Sequence, residues 1–209
     1  MSGANLTRRV SDAARHAERM RELQAEQRAK VARATNPNRG LVLVHTGNGK
    51  GKSSAAFGVV ARALGWGKRV GVVQFIKGTW KTGEHQFFSR FPDLLEWRTT
   101  GSGFTWDTQD READVATARS GLAIAREMIT GDDLDLVVLD EVNVVMSHDY
   151  LPAEEVLQCL DARSSRTHVI LTGRGAPAAL IDYADLVSEM VEVKHPFHAG
   201  IKAQRGIDF

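Results

Sequence analysis

The chain has 209 residues, of which 43% are hydrophobic and 25% are charged, a composition typical of a protein with one sizeable buried core. No apolar run approaches the ~20 residues of a membrane-spanning helix, and the first twenty residues lack the apolar stretch of a secretory signal, so we expect no membrane partner. The single cysteine, Cys159, excludes a disulfide within the chain and favours a reducing compartment, the cytoplasm.

The net charge of +1 divides unevenly along the chain. Residues 1–39 hold nine Lys/Arg and four Asp/Glu, whereas residues 40–209 hold 18 and 22. Helix-forming residues fill 6–33 with a narrow apolar stripe, and TNPNRG then ends the helix. We therefore predict a basic helical arm over 1–39 that needs a surface to lie on. A lid over an active site and a partly frayed arm both agree with this pattern.

From residue 40 onward, short apolar runs alternate with helical patterns. Strands are predicted at 41–45, 69–76, 95–100, 135–142, 168–173 and 186–194. Helices are predicted at 52–64, 82–91, 111–130, 152–162 and 177–183. The alternation predicts a three-layer α/β domain over 40–209 with a mainly parallel sheet.

The stretch HTGNGKGKSSAAFG, residues 45–58, follows the first of these strands and opens the first helix. It resembles the phosphate loop G-x-x-x-x-G-K-[ST], but its first glycine comes one residue late. Glycines let backbone N–H groups turn toward a phosphate chain, and the helix N-terminus adds positive charge. We therefore predict a nucleotide triphosphate site. Its candidate ATP-binding residues are Gly47, Asn48, Gly49, Lys50, Gly51, Lys52, Ser53 and Ser54.

The apolar strand LDLVVLDEV ends in two carboxylates, Asp140 and Glu141. A strand of this kind supplies a metal-side carboxylate in P-loop proteins, and the Ser53 hydroxyl would reach the same Mg²⁺ ion. If Glu141 activates water, the protein is an ATPase. If a second substrate attacks the nucleotide, it is a transferase.

The glycine-bearing segment TGSGFTWDTQ, residues 100–109, favours the transferase. Phe104 and Trp106 follow a predicted strand end, where open α/β sheets bind ligands. Flat apolar side chains there suit a large planar substrate and keep water out. The same two aromatics could also simply pack in the core.

Six stretches together resemble the P-loop ATP:corrinoid adenosyltransferases, in order along residues 40–209. They are TGNGKGKSSAAFG, QFIKG, GFTWDTQDREAD, VVLDE, TGRG and HPFHAGIKAQRGIDF. The resemblance implies transfer of the 5′-deoxyadenosyl group of ATP to the cobalt of a reduced corrinoid, releasing triphosphate, in adenosylcobalamin biosynthesis or salvage. The corrinoid would be cobalamin, cobinamide or cobyrinic acid a,c-diamide. It also implies a RecA-like fold, a homodimer, and a flavin-dependent reductant or flavodoxin as electron donor.

The resemblance also implies roles for particular residues. The loop from Gly47 to Ser53 would wrap the triphosphate, and Arg62 would make another nucleotide contact. Ser53 and Glu141, with Asp140 beside them, would hold Mg²⁺, with Mn²⁺ as an alternative. The remaining candidates are catalytic. Lys52, from the phosphate-loop pattern itself, would contact the phosphates, and Phe104 and Trp106 would crowd the corrinoid's lower face. Cobalt(II) then loses its axial ligand and is easier to reduce.

Two other classes remain open at this point. An ordinary P-loop ATPase or small-molecule kinase would share the loop, but not the aromatic segment or the missing residue. A nucleic-acid-binding module would use the basic arm, but its arginines are interleaved with glutamates and its stem has no aromatics for stacking. We expect no nucleic-acid partner. The short loop is compatible with a triphosphate held in a shifted or reversed sense, with C5′ as the reacting atom.

Overall fold

The computed structural model describes residues 3–76, 82–101 and 110–208. The chain divides into two compact units, Met1–Pro37 and Asn38–Phe209. The first unit consists mainly of one helix, α1 (Gly3–Arg33), which confirms the helix predicted over 6–33. Lys30 and Arg33 lie in its last turn, where positive charge favours the helix dipole. Among the described residues, no helix combines the length and apolar character needed to cross a membrane.

The second unit alternates strands and helices, as its sequence predicts. The strands are β1 (Val42–Thr46), β2 (Val70–Gln74), β3 (Leu95–Thr99), β4 (Leu136–Asp140), β5 (His168–Thr172) and β6 (Leu186–Glu189). The helices are α2 (Lys52–Gly65), α3 (Gly83–Phe88), α4 (Arg111–Thr130), α5 (Val142–Ser147), α6 (Ala153–Asp161) and α7 (Ala178–Tyr183). A 3-10 turn, Pro196–Ala199, follows β6.

The six strands form one sheet in the order β3-β2-β4-β5-β1-β6, and every neighbouring pair is parallel. The predicted α/β class with a mainly parallel sheet is therefore confirmed. β5 lies between β1, which leads into the glycine-rich loop, and β4, which ends in Asp140. Because parallel strands end at the same edge, the ends of β1, β5 and β4 meet there.

Helices cover both faces of the sheet. Successive side chains of a strand point to opposite faces, so Val70 and Val72 lie in one core and Val73 in the other. α2 and α3 cover one face, where Ala56, Phe57, Val60, Leu64 and Phe88 are buried. α4, α5, α6 and α7 contribute to the other core, with Leu122, Ala125, Ile129, Val145, Leu160 and Leu180 among its members. This is the predicted three-layer arrangement.

Three predicted strand ends are wrong. The strand predicted over 69–76 ends at Gln74. The strand predicted to run to Val142 ends at Asp140, because Glu141 adopts a left-handed conformation with φ 64° and α5 then begins. The valine-rich sequence of α5 favours a strand locally. In the structure Val142 and Val145 are instead buried in the core that α5 shares with α4, α6 and α7 on one face of the sheet, and this tertiary burial overrides the local preference. The strand predicted over 186–194 ends at Glu189.

Candidate active site

The polar residues at the carboxyl ends of four strands form the candidate site. The strand register pairs Gln74 with Asp140 and His45 with Thr172, so these residues lie at one level across the sheet. Ligands of open α/β sheets bind in the crevice at this edge. The described site therefore lies where the fold class leads us to expect it.

The glycine-rich loop connects β1 to α2, and its conformation requires a glycine at its first glycine position, Gly47. Gly47 has φ +93°, and a Cβ there would lie 2.4 Å from the Met190 carbonyl oxygen. The Gly49 N–H donates a hydrogen bond of 2.7 Å to the same carbonyl. Gly51, with φ +111°, turns the chain into α2. The loop is thus seated against the segment after β6, in a conformation that side chains would disrupt.

Lys52 is the first residue of α2, and its side chain turns back into the loop. Its Nζ donates to the Gly49 carbonyl oxygen at 2.7 Å, and the residue is only 8% exposed. Burial lowers the pKa of this ammonium, the nearby cations Arg174 and Lys50 lower it further, and the carboxylate of Glu141 opposes them. A buried ammonium in the glycine-rich loop, at the N-terminus of α2, is suited to an anionic chain.

Asp140 lies at the end of β4 and is fully buried. Thr172 Oγ1 donates to its Oδ1 at 2.7 Å, and Gln74 Nε2 donates to its Oδ2 at 2.9 Å. The Thr172 hydroxyl also accepts a bond of 3.0 Å from the Glu141 N–H. Three neighbouring strands therefore fix both the Asp140 carboxylate and the sharp turn that presents Glu141 at the crevice.

The donor set at this edge fits Mg²⁺ bound together with phosphates. Mg²⁺ takes one or two protein oxygens and completes its octahedron with water and phosphate. Ser53, in the first turn of α2, and Glu141 could supply these oxygens directly, whereas Asp140, with both oxygens engaged, would act through water. Within the described residues there is no cluster of three or more His, Cys, Asp or Glu that could hold a metal by itself.

Comparisons with known proteins show the family of this chain. The family described as ATP:corrinoid adenosyltransferase BtuR/CobO/CobP matches residues 38–209. The chain belongs to the ATP:corrinoid adenosyltransferase family. It is 52% identical to the corrinoid adenosyltransferase of Pseudomonas aeruginosa, over 93% of this chain and 96% of that protein. It is also 48% identical to the corrinoid adenosyltransferase of Escherichia coli and to the corrinoid adenosyltransferase CobA of Salmonella typhimurium. Each match covers 93% of this chain and 98% of the relative.

A solved structure resembles this family member in fold alone. The flagellar accessory protein FlaH of Methanocaldococcus jannaschii superposes with a TM-score of 0.50 over 72% of this chain and 71% of its own. The two sequences are 11% identical, so the likeness concerns the fold and not the reaction. Together with the family match, it confirms the predicted RecA-like P-loop fold.

The other predicted site residues of this adenosyltransferase lie on the loop, along α2 or outside the described residues. Asn48 and Ser54 are exposed on the loop and the first turn of α2. Arg62 lies in the last turn of α2, about 14 Å from Ser53 along the helix axis, so the fold does not bring it to the loop. Phe104 and Trp106 fall within 102–109, outside the described residues.

Sequence reasoning missed several residues that support the site. Thr172 and Gln74 hold Asp140, and both lie in or beside the stretches TGRG and QFIKG, so a polar residue at a strand end was the available signal. Asn143 is fully buried and donates from Nδ2 to the carbonyls of Gly173 at 3.2 Å and His45 at 3.4 Å. Asn143 thereby links the ends of β1 and β5, and no pattern in the local sequence predicts these hydrogen bonds.

A cavity opens beside the loop, next to Ser54. Its volume is about 350 Å³, and its walls include Phe57, Phe87 and Phe88. Gly206 and Ile207, near the end of the described chain, complete one side. The chain after residue 200 thus returns to the edge of the sheet that carries the phosphate loop.

Proposed function

We propose that this protein transfers the 5′-deoxyadenosyl group of ATP to the cobalt of a reduced corrinoid and releases triphosphate. The observation that carries the proposal is the phosphate loop, with the Lys52 ammonium buried inside it, in a chain that matches the adenosyltransferase family over 38–209. The product would serve adenosylcobalamin biosynthesis or salvage.

In this reaction the protein's main tasks are to align the two substrates and to stabilise the charge of the leaving group; it does not need to transfer a proton. Cobalt(I) is a strong nucleophile and needs no general base, while the leaving group is a highly charged triphosphate. Lys52, the N-terminus of α2 and the neighbouring cations Lys50 and Arg174 would stabilise that leaving group. The loop would hold the triphosphate so that C5′ faces the corrinoid, in the shifted or reversed sense that its missing residue permits.

Mg²⁺, with Mn²⁺ as an alternative, is the cofactor that fits this site best. Ser53 and Glu141 would hold the ion directly, and Asp140 would act through a bound water. The ion would neutralise part of the charge on the departing triphosphate. Glu141 is then a metal ligand and not a base for water.

Further elements of the proposal come from the resemblance and from the sequence itself. Phe104 and Trp106 would crowd the lower face of the corrinoid, and Arg62 would reach the nucleotide away from the loop. The protein would act as a cytoplasmic homodimer, with a flavin-dependent reductant or flavodoxin supplying electrons. The basic arm, residues 1–39, would cover the nucleotide or corrinoid site of its own or the partner subunit. Deleting 1–38 should raise the KM for corrinoid, and unchanged kinetics would contradict the lid.

The direct test is anaerobic incubation with ATP, Mg²⁺ and a chemically reduced corrinoid. Adenosylcorrinoid and triphosphate should form in equal amounts. Lys52→Met should lower the rate by about 100-fold or more, because a preorganised cation at the leaving group is lost. Lys68→Met is the matched control, because Lys68 pairs with Asp135 at the opposite edge of the sheet. Substantial ADP and phosphate without corrinoid would instead identify an ATPase.

A further inference from the structure

The C-terminal segment of the described chain, residues 201–208, carries a carboxylate to the phosphate loop. Asp208 Oδ1 lies 2.5 Å from Lys50 Nζ, and the Asp208 side chain is only 11% exposed, against 53% for Lys50. The Gln204 N–H donates to Asp208 Oδ2 at 2.7 Å, and the Asp208 N–H donates to the Gln204 carbonyl at 2.8 Å. The carboxylate is therefore held in place by its own turn and is not a loose surface charge.

This carboxylate stands against a concentration of positive charge. Lys50 and Lys52 belong to the loop, and Arg174 follows β5, the strand beside β1. The position of the Arg174 segment is fixed, because the Ala176 N–H donates to Thr46 Oγ1 at 3.2 Å. Arg174 and Lys50 are both close enough to lower the pKa of Lys52. The loop therefore carries the positive charge of Lys50 and Lys52 and lies near that of Arg174.

We propose that Asp208 is a positioning residue that sets the affinity of the loop for triphosphate by competing for Lys50. Before ATP binds, Asp208 partners the Lys50 ammonium. A bound triphosphate takes over that ammonium, and Asp208 recovers it when the triphosphate leaves. The inference rests on the proposed function, in which triphosphate is the leaving group.

The competition follows from charge. A carboxylate and a polyphosphate drawn to one ammonium repel each other, and this repulsion is stronger where solvent is partly excluded. Free triphosphate carries at least as much negative charge as the phosphate chain of ATP. Glu141 already offsets part of the charge on Lys52, but without Asp208 the three cations would be offset less, so the loop would hold its product longer and the enzyme would turn over more slowly. Asp208 offsets one of those cations at the point where the product must leave.

A purely structural role for Asp208 makes the opposite prediction. If the ion pair only anchored residues 201–208, its loss would loosen the segment that also lines the cavity beside Ser54. The loop would then bind triphosphate as before or more weakly. The sign of the change in affinity separates the two roles.

The test is calorimetric titration of the full chain with inorganic triphosphate and Mg²⁺, without corrinoid. Asp208→Asn should bind triphosphate about five-fold more tightly, the effect of one partly exposed charge pair, and the gain should shrink at high salt. Asp208→Glu, which keeps the charge, should stay close to wild type. Asp133→Asn, an exposed carboxylate before β4 at the opposite edge, is the matched control.

A second background makes the result specific to Lys50. When Lys50 is already replaced by methionine, the additional change Asp208→Asn should alter triphosphate affinity little. The ammonium for which Asp208 and triphosphate compete is then absent. In steady state, Asp208→Asn should lower the KM for ATP without raising kcat, and triphosphate should inhibit it at lower concentration. Unchanged or weaker triphosphate binding by a folded Asp208→Asn would overturn the proposal. Wild type that binds triphosphate but makes no adenosylcorrinoid would instead overturn the proposed function.

Discussion

Replacing Thr172 tests how much its two hydrogen bonds contribute to the stability of the candidate site. Its side chain is fully buried at the end of β5, where the hydroxyl donates to the Asp140 carboxylate and accepts from the Glu141 N–H. Thr172→Val keeps the shape of the side chain and removes both bonds. We expect a large loss of stability, because the buried Asp140 carboxylate loses one of its hydrogen-bond donors and the partly buried Glu141 N–H loses this acceptor.

The size of the loss follows from the two partners. A hydrogen bond to a charged group contributes about 1.5–3 kcal/mol. An N–H that loses its acceptor costs about 1–3 kcal/mol when buried, and the partly buried Glu141 N–H belongs at the lower end of that range. The free energy of unfolding should therefore fall by about 3 kcal/mol, after an allowance for the apolar gain of valine. Thr167→Val is the matched control. Thr167 is equally buried beside the other end of β5, but its hydroxyl donates to the neutral Leu134 carbonyl, so about 1 kcal/mol should be lost.

Urea unfolding at one fixed protein concentration measures both variants, since association would otherwise shift the midpoints. Adenosylation should also fall more in Thr172→Val than in Thr167→Val under conditions where both are folded. Thr172→Ser, which restores the hydroxyl, should recover most of the activity. Equal losses of stability in the two valine variants would refute the argument, because they would show that the Asp140 carboxylate does not depend on this donor.

Three further outcomes are expected. Gly47→Ala should weaken triphosphate binding at least about tenfold in calorimetry, since φ +93° is strained for alanine, whereas Gly58→Ala, with open space around its Cβ, should bind normally. The hydrogen bond from Arg39 lowers the pKa of Asp185 from 3.8 to about 2. The ionised Asp185 therefore stabilises the folded protein at pH values above 3.8, and this contribution is lost as the pH falls toward about 2. Asp185→Asn should thus lose about 1 kcal/mol in neutral urea unfolding, with the difference vanishing in acid. Burial raises the pKa of the Cys159 thiol, so a thiol reagent should modify it at least about 100-fold more slowly in native than in unfolded protein, and a rapid native reaction would contradict this.

Most of the fold could be predicted because its signals are local. Apolar runs of four to six residues, helical periodicity and glycine-rich turns reflect dihedral preferences and burial along a short stretch of chain. The predicted position of helix 111–130 agrees with α4 at both ends, and all six strands lie within or beside their predicted spans. The α5 helix was missed because valines favour extended backbone locally, while its burial against the sheet is a long-range effect.

The sequence by itself determined the phosphate loop, the carboxylates Asp140 and Glu141 at and just after the end of β4, and the family. These features are written in consecutive residues whose chemistry and spacing can be read directly. Tertiary structure alone decided that β5 lies between β1 and β4, so that Thr172 reaches Asp140, and that Asp208 returns to Lys50. Strand order and contacts between distant segments depend on which apolar faces are buried together, and no local pattern encodes that choice.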